Sequence, residues 1–236
     1  MKKIMFNDRF WLTEAVLAGR KTMTRRIMKV PEYASDLGGL ECRLGKLDGS
    51  DKQRAYWFEG VVNLDWSHAV TLGSVPIPYQ IGEEIAIAQS YMTIMDNLSV
   101  DEEDDYMEKL CEAHGINTHQ SMLDKCIEMS ELAGINNKMY VRADLMPHRI
   151  EITNIKVERL QKISDEDCLR EGITIITEGK MEIGNAYGWD TKVDALKRDS
   201  FFTPRAAFAA LIDKVSRRGT WNSNPWVMVY EFQLIK

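Results

Sequence analysis

Residues 19–26 read Gly19-Arg20-Lys21-Thr22-Met23-Thr24-Arg25-Arg26, four cations and two hydroxyls in eight positions. Lys and Arg are seldom buried unless paired, so this density of donors has no obvious packing purpose. A glycine that ends a helix, followed by cations and hydroxyls, can present donors to an anion or a polar ligand. A solvated turn with a chance run of charge fits the same residues. Upstream, Asn7 or Asp8 can cap a helix running to about Ala18, with Phe10, Trp11, Leu12, Ala15 and Val16 on its apolar side and Gly19 as its stop. The negative end of that helix favours Arg20 and Lys21, which gives part of the cluster a structural use.

Working outward, the 236 residues suit one domain with insertions or two small ones. A net charge of -6 argues against sequence-blind coating of nucleic acid, although a local basic site depends on clustering rather than on the total. Neither a signal-peptide h-region nor an apolar run of membrane-spanning length is seen. Cys42, Cys111, Cys126 and Cys168 form no C-x-x-C pair, and free thiols in a reducing cytoplasm account for them most simply.

The remaining periodicities alternate between strand and helix. Leu37 to Gly49 is rich in turn residues, and Arg54 to Leu64 reads as a hairpin arm with Tyr56, Phe58 and Val62 in step. Ile81-Gly82-Glu83-Glu84 is a turn leading into a strand at Ile85 to Ala88. Ser99 and Glu102 form a capping box for a helix to Gly115. A second helix is expected from Thr118 to near Gly134, with Met122, Cys126, Met129 and Ala133 on one face. Together the two read as an inserted helical hairpin. Tyr140 to Val157 reads as strand, and its change of apolar parity implies a bulge near Thr153 or burial on both faces. Ser164 caps a short helix through Glu171, ended by Gly172; Thr203 and Pro204 open the clearest helix; Trp226 to Ile235 is a terminal strand.

Lys21 and Thr24 stand three apart and can meet if the chain makes one helical turn there. A threonine hydroxyl is a nucleophile only when a base takes its proton, and a lysine serves as that base only when burial or neighbouring cations lower its pKa. Arg20, Arg25 and Arg26 are suitable neighbours. A carboxylate would be needed to orient the ammonium, and the residues alone do not select it. The simpler role, a grip on phosphate or carbonyl oxygens, stays open beside this one.

Gly19-Arg20-Lys21-Thr22-x-Thr24-x-Arg26 resembles the signature of the ASCH domain, a small β-barrel related to the PUA RNA-binding fold. The helix Phe10 to Ala18 precedes the motif as in the family, and three further segments follow in the family's order: Ile81 to Ile85 for its "GD" turn (with Glu83 in place of the aspartate), Leu160 to Ile173, and Trp226 to Phe232. The resemblance implies an α+β fold, a PUA-like barrel over residues 1–236 with insertions at about 28–80, 91–140 and 174–200. It also implies a site of Lys21, Thr24 and Glu171, the set with which a bacterial ASCH enzyme hydrolyses N4-acetylcytidine. In that chemistry Thr24 is the nucleophile, Lys21 its base and Glu171 the orienting carboxylate. Other ASCH proteins are described as RNA-binding or as ribonucleases, so a non-catalytic module or a ribonuclease is the alternative. The extended form, with Met146-Pro147-x-Arg149-Ile150 and Asn224-Pro225-Trp226, is similar to larger ASCH proteins of phages and prophages. The partner implied is a nucleoside, nucleotide or RNA, with Arg20, Arg25, Arg26, Arg149 and Trp221 as binding candidates and no cofactor, metal or membrane.

Other signals are weaker. Cys111, His114, His119 and Cys126 lack the spacing of a zinc finger. Asp101 to Asp105 lacks the alternating ligands of a calcium loop. Trp221 or Trp189 could stack on a base. Glu171, an acid at a helix C-terminus, is electrostatically misplaced unless a cation holds it, and Lys21 would supply one.

Overall fold

The computed structural model describes residues 1–30, 40–46, 52–59, 70–177, 185–189 and 199–235, and the chain is α+β. The turn-rich stretch at 37–49, Val62 and the insertions at about 28–80 and 174–200 lie wholly or partly outside the described residues. In chain order the first elements are β1 (Lys2–Ile4), α1 (Leu12–Leu17), β2 (Met23–Ile27), β3 (Glu41–Lys46), β4 (Gln53–Glu59), β5 (Val70–Pro76) and β6 (Glu84–Ile87). Helices α2 (Tyr91–Met95), α3 (Val100–His114) and α4 (Met122–Ser130) follow, then β7 (Arg149–Arg159), α5 (Asp165–Arg170), β8 (Thr174–Thr177) and β9 (Ala186–Gly188). The chain closes with α6 (Pro204–Val215), α7 (Thr220–Ser223) and β10 (Trp226–Ile235). No helix among the described residues is long and apolar enough to cross a membrane.

The chain divides into two compact units, a smaller one of Met1–Phe6, Glu84–Ile150 and Ile235–Lys236 and a larger one of Asn7–Glu83 and Glu151–Leu234. In the smaller unit β1 and β6 pair in parallel, Lys3 opposite Ala86. The Lys3 ammonium donates to the carbonyls of Met139 (2.6 Å) and Val141 (2.7 Å), fastening the segment before β7. Tyr91, Leu110, Cys111, Met129 and Ile135 share one apolar core. The capping box of Ser99 and Glu102 starts α3 as the sequence indicates. Two expectations are corrected here. Helix α4 starts only after Ser121, whose hydroxyl accepts from the Asp124 N–H, and it leaves Met122 and Cys126 exposed with Met129 buried. The strand expected from Tyr140 starts at Arg149, because a 3-10 turn at Ala143–Leu145 and then Pro147, which has no N–H to give a ladder, precede it.

In the larger unit β2 runs antiparallel to β10, with Thr24 opposite Tyr230 and Arg26 opposite Met228, and β7 lies on the other side of β10. Burial along β7 switches parity between Ile152 and Ile155, across exposed Thr153 and Asn154. Strands β3, β4 and β5 form an antiparallel sheet. Its inward face is that of Ala55 and Trp57, while Tyr56 and Phe58 are only half-buried. Helix α6 follows its pattern, with Thr203 accepting from the Ala206 N–H and Phe208, Leu211 and Ile212 buried. The first helix is shorter than expected. A 3-10 turn at Asp8–Phe10 comes first, and Trp11 at φ 57° breaks it from α1. That left-handed residue costs about 1–2 kcal/mol, and the Thr13 hydroxyl bound to the Asp8 carboxylate ties the two pieces across it.

Candidate functional site

The motif is placed by α1 and α5. Gly19 takes φ 71°, a left-handed turn that suits glycine, and the N–H groups of Arg20 and Lys21 both return to the Ala15 carbonyl at 2.9 Å. Thr22 then donates to the Arg170 carbonyl at 2.9 Å, which sets the chain beside the last turn of α5 before β2 begins. Helix α5 is started by Ser164 and by acids in its first turn. It ends at Glu171, where Gly172 turns away at φ 102°.

Lys21 and Glu171, 150 residues apart, meet in the interior. The Lys21 ammonium donates to Glu171 Oε2 at 2.6 Å and to the Glu171 carbonyl at 2.7 Å. It thus supplies the cation that an acid at a helix C-terminus requires. Arg25 Nη1 donates to the other carboxylate oxygen of Glu171 at 3.1 Å and to the Met23 sulfur at 3.0 Å. Its Nη2 donates to Glu158 and Asp167, each at 2.7 Å. The side chains of Lys21, Arg25 and Glu171 are 2%, 1% and 5% exposed. A second ring of ion pairs surrounds them, Lys156 with Asp167 at 3.1 Å and Arg170 with Glu231 at 2.8 Å.

Burial lowers the Lys21 pKa; Glu171 opposes that shift, but Arg26 and Arg25 add to it and the net direction is down. Burial also works against the charge of Arg25, but Glu171, Glu158 and Asp167 outweigh it and the net direction is up. Burial would raise the Asp167 carboxyl, yet its bonds to Arg25 and Lys156 hold it below the ordinary range.

The other named residues go elsewhere. Residues 23–27 are extended, so the helical turn that would join Lys21 to Thr24 is not formed. Strand alternation sends Thr24 and Arg26 to the face opposite Met23 and Arg25. Thr24 is buried. On that opposite face lies a cavity of about 240 Å³, walled by Arg26, Met28, Pro76, Pro78, Met228 and Tyr230, with Lys29 also on its lining. Arg20 is partly buried, and its Nη1 is enclosed without a hydrogen-bond partner among the described residues. Arg149 pairs with Glu84 at 3.5 Å within the smaller unit. Trp221 carries the Arg205 guanidinium 5.0 Å over its ring and meets the edge of Phe208 at 6.3 Å. Trp189 is buried between Phe201 and Phe10. Both tryptophans are therefore packed by the protein itself.

Glu158, Asp167 and Lys156 were not identified from the sequence as parts of this cluster. Lys156 and Glu158 share a strand face by their spacing of two, an opposite-charge pair that was the available signal. Among the described residues no group of three or more His, Cys, Asp or Glu side chains is gathered as for a metal ion. Comparison of the chain with family models, with curated proteins and with solved structures gave no match in any of the three.

Proposed function

We propose that the chain is an ASCH-type protein, a PUA-like β-barrel with inserted helices, that binds one nucleoside or nucleotide in the cavity beside Arg26. The contact of Lys21 with Glu171 at 2.6 Å supports the family part of this reading, since the resemblance assigns these two residues to one site; the ligand part is carried by the cavity on the opposite face of β2. The cavity supports the ligand class. At about 240 Å³ it falls below the roughly 300–1,000 Å³ of clefts for drug-sized ligands, which suits a single base or nucleoside. Tyr230 and the prolines give apolar walls, while Arg26 and Lys29 supply cations for a phosphate. The net charge of -6 works against a long polyanion.

The test is calorimetric titration with cytidine and cytidine monophosphate. Arg26 is exposed on its strand, so Arg26→Ala leaves the fold intact. Loss of a charged hydrogen bond, about 1.5–3 kcal/mol, is expected to weaken the monophosphate roughly ten- to hundredfold. Equal affinity in the variant would refute the cavity as the binding place.

A second reading, amide hydrolysis on an acylated nucleoside, is favoured by the lowered pKa of Lys21, since a lysine that gives up its proton readily can act as the base for Thr24. Against it stand the occupied oxygens of Glu171 and the outward turn of Thr24 from that cluster. Acetate release from N4-acetylcytidine, lost in Lys21→Ala and Thr24→Ala, would select hydrolysis. Its rate would rise with pH along a limb below the ordinary lysine range, because only neutral Lys21 accepts the proton.

A further inference from the structure

Helix α4 turns an apolar face to solvent. Met122, Leu123 and Ile127 are 52%, 70% and 53% exposed, and Cys126 is exposed beside them. At 3.6 residues per turn these four fall within about 140° of one side of the helix, in two adjacent i, i+4 pairs. Met129, at the margin of the same arc about 20° from Met122, is the residue of α4 that enters the core. An amphipathic helix normally buries its apolar arc, and this one buries the smaller part. The sequence had placed Met122 and Cys126 with Met129 on a common inner face, so the exposed arc emerges only from the structure.

The surrounding charge selects the occupant. Helices α3 and α4, which share the unit's core through Leu110, Cys111 and Met129, carry nine Asp and Glu against two Lys. Asp124 and Glu128 border the apolar arc on its outer edge, and both are exposed. A second copy of the chain laid on this face would set those carboxylates against their own counterparts. Nucleic acid and anionic lipid would be repelled for the same reason. A cationic helix meets apolar contact along the arc and opposite charge at its edge.

We propose that the outer face of α4 docks an amphipathic basic helix of a partner protein, its apolar residues laid over Leu123 and Ile127 and its Lys or Arg side chains against Asp124 and Glu128. This surface is independent of the cavity beside Arg26.

The test is fluorescence anisotropy of a labelled Leu/Lys peptide of about eighteen residues, long enough to hold a helix, with leucines at i, i+3, i+4 and i+7. The titrant is the full chain. A scrambled peptide of the same composition has the same charge and no apolar face. The patterned peptide is expected to bind at least about tenfold tighter than the scrambled one, and Leu123→Asp/Ile127→Asp is expected to remove that advantage. Glu128→Lys should weaken binding and reduce its salt dependence. Because Leu123 and Ile127 are exposed, Leu123→Ala/Ile127→Ala should act in the same direction, with circular dichroism confirming the fold. Equal binding of the two peptides, or unchanged binding by the double variants, overturns the proposal. Self-association in sedimentation that ends with Leu123→Asp would assign the face to a second copy and overturn it as well.

Discussion

Glu171→Ala is expected to cost about 3–5 kcal/mol of folding free energy, the loss typical when one partner of a buried ion pair is removed. The substitution leaves the Lys21 ammonium with one carbonyl acceptor in a site 2% exposed. It also takes one carboxylate from Arg25, which keeps Glu158 and Asp167. Lys21→Met combined with Glu171→Gln should be less destabilising than the sum of the single changes, because no ammonium is then buried without its partner. Urea unfolding at constant m-value measures both, and a cost below about 1 kcal/mol for Glu171→Ala would place the pair outside the stabilising core. The same cluster sets the acid limb. Asp167 and Glu231 have folded pKa values held below their unfolded ones, each by its cationic partners against the opposing effect of burial. Their contribution is therefore complete above the unfolded carboxylate range and is lost as the pH falls through the folded values. Stability should begin to fall only below about pH 4.

Trp57→Ala is the second large effect, at about 3–5 kcal/mol. Trp57 is fully buried on β4 and meets Trp226 edge to face at 5.7 Å. The Arg159 guanidinium covers Trp226 at 4.6 Å. The contact joins the three-stranded sheet to β10, so its loss opens a cavity between layers as well as removing apolar area. Among the described residues the indole N–H of Trp57 has no hydrogen-bond partner. Trp57→Phe therefore breaks no polar contact and should cost less than about 2 kcal/mol. A cost for phenylalanine equal to that for alanine would show that ring size, rather than ring burial, decides the site.

Elements announced by local signals were legible in the sequence. The capping box at Ser99, Thr203 with Pro204, and Ser164 with its acidic first turn each specify a helix start through a side-chain bond to a nearby N–H. Side assignment was less legible. Aromatic residues occupy both parities of β4, so Tyr56 and Phe58 competed with Trp57 as the inward set, and only the pairing partners settle it. In α4 the periodicity specifies a helix, but a helix pattern does not say which part of an apolar arc meets the core. At the site, the electrostatic argument that an acid ending α5 needs a cation indicated the kind of contact Lys21 makes. The position of Thr24 was not legible, because the choice between a helical turn and an extended strand at residues 23–27 depends on pairing with β10.

The central claim is that one nucleoside or nucleotide occupies the cavity beside Arg26. The most direct measurement is a crystal structure of the protein grown with saturating cytidine monophosphate. The account predicts density for the base against Pro76 and Pro78, with the phosphate on Arg26 or Lys29, inside the cavity of about 240 Å³. An empty cavity at saturating ligand, or ligand bound only elsewhere, would contradict it.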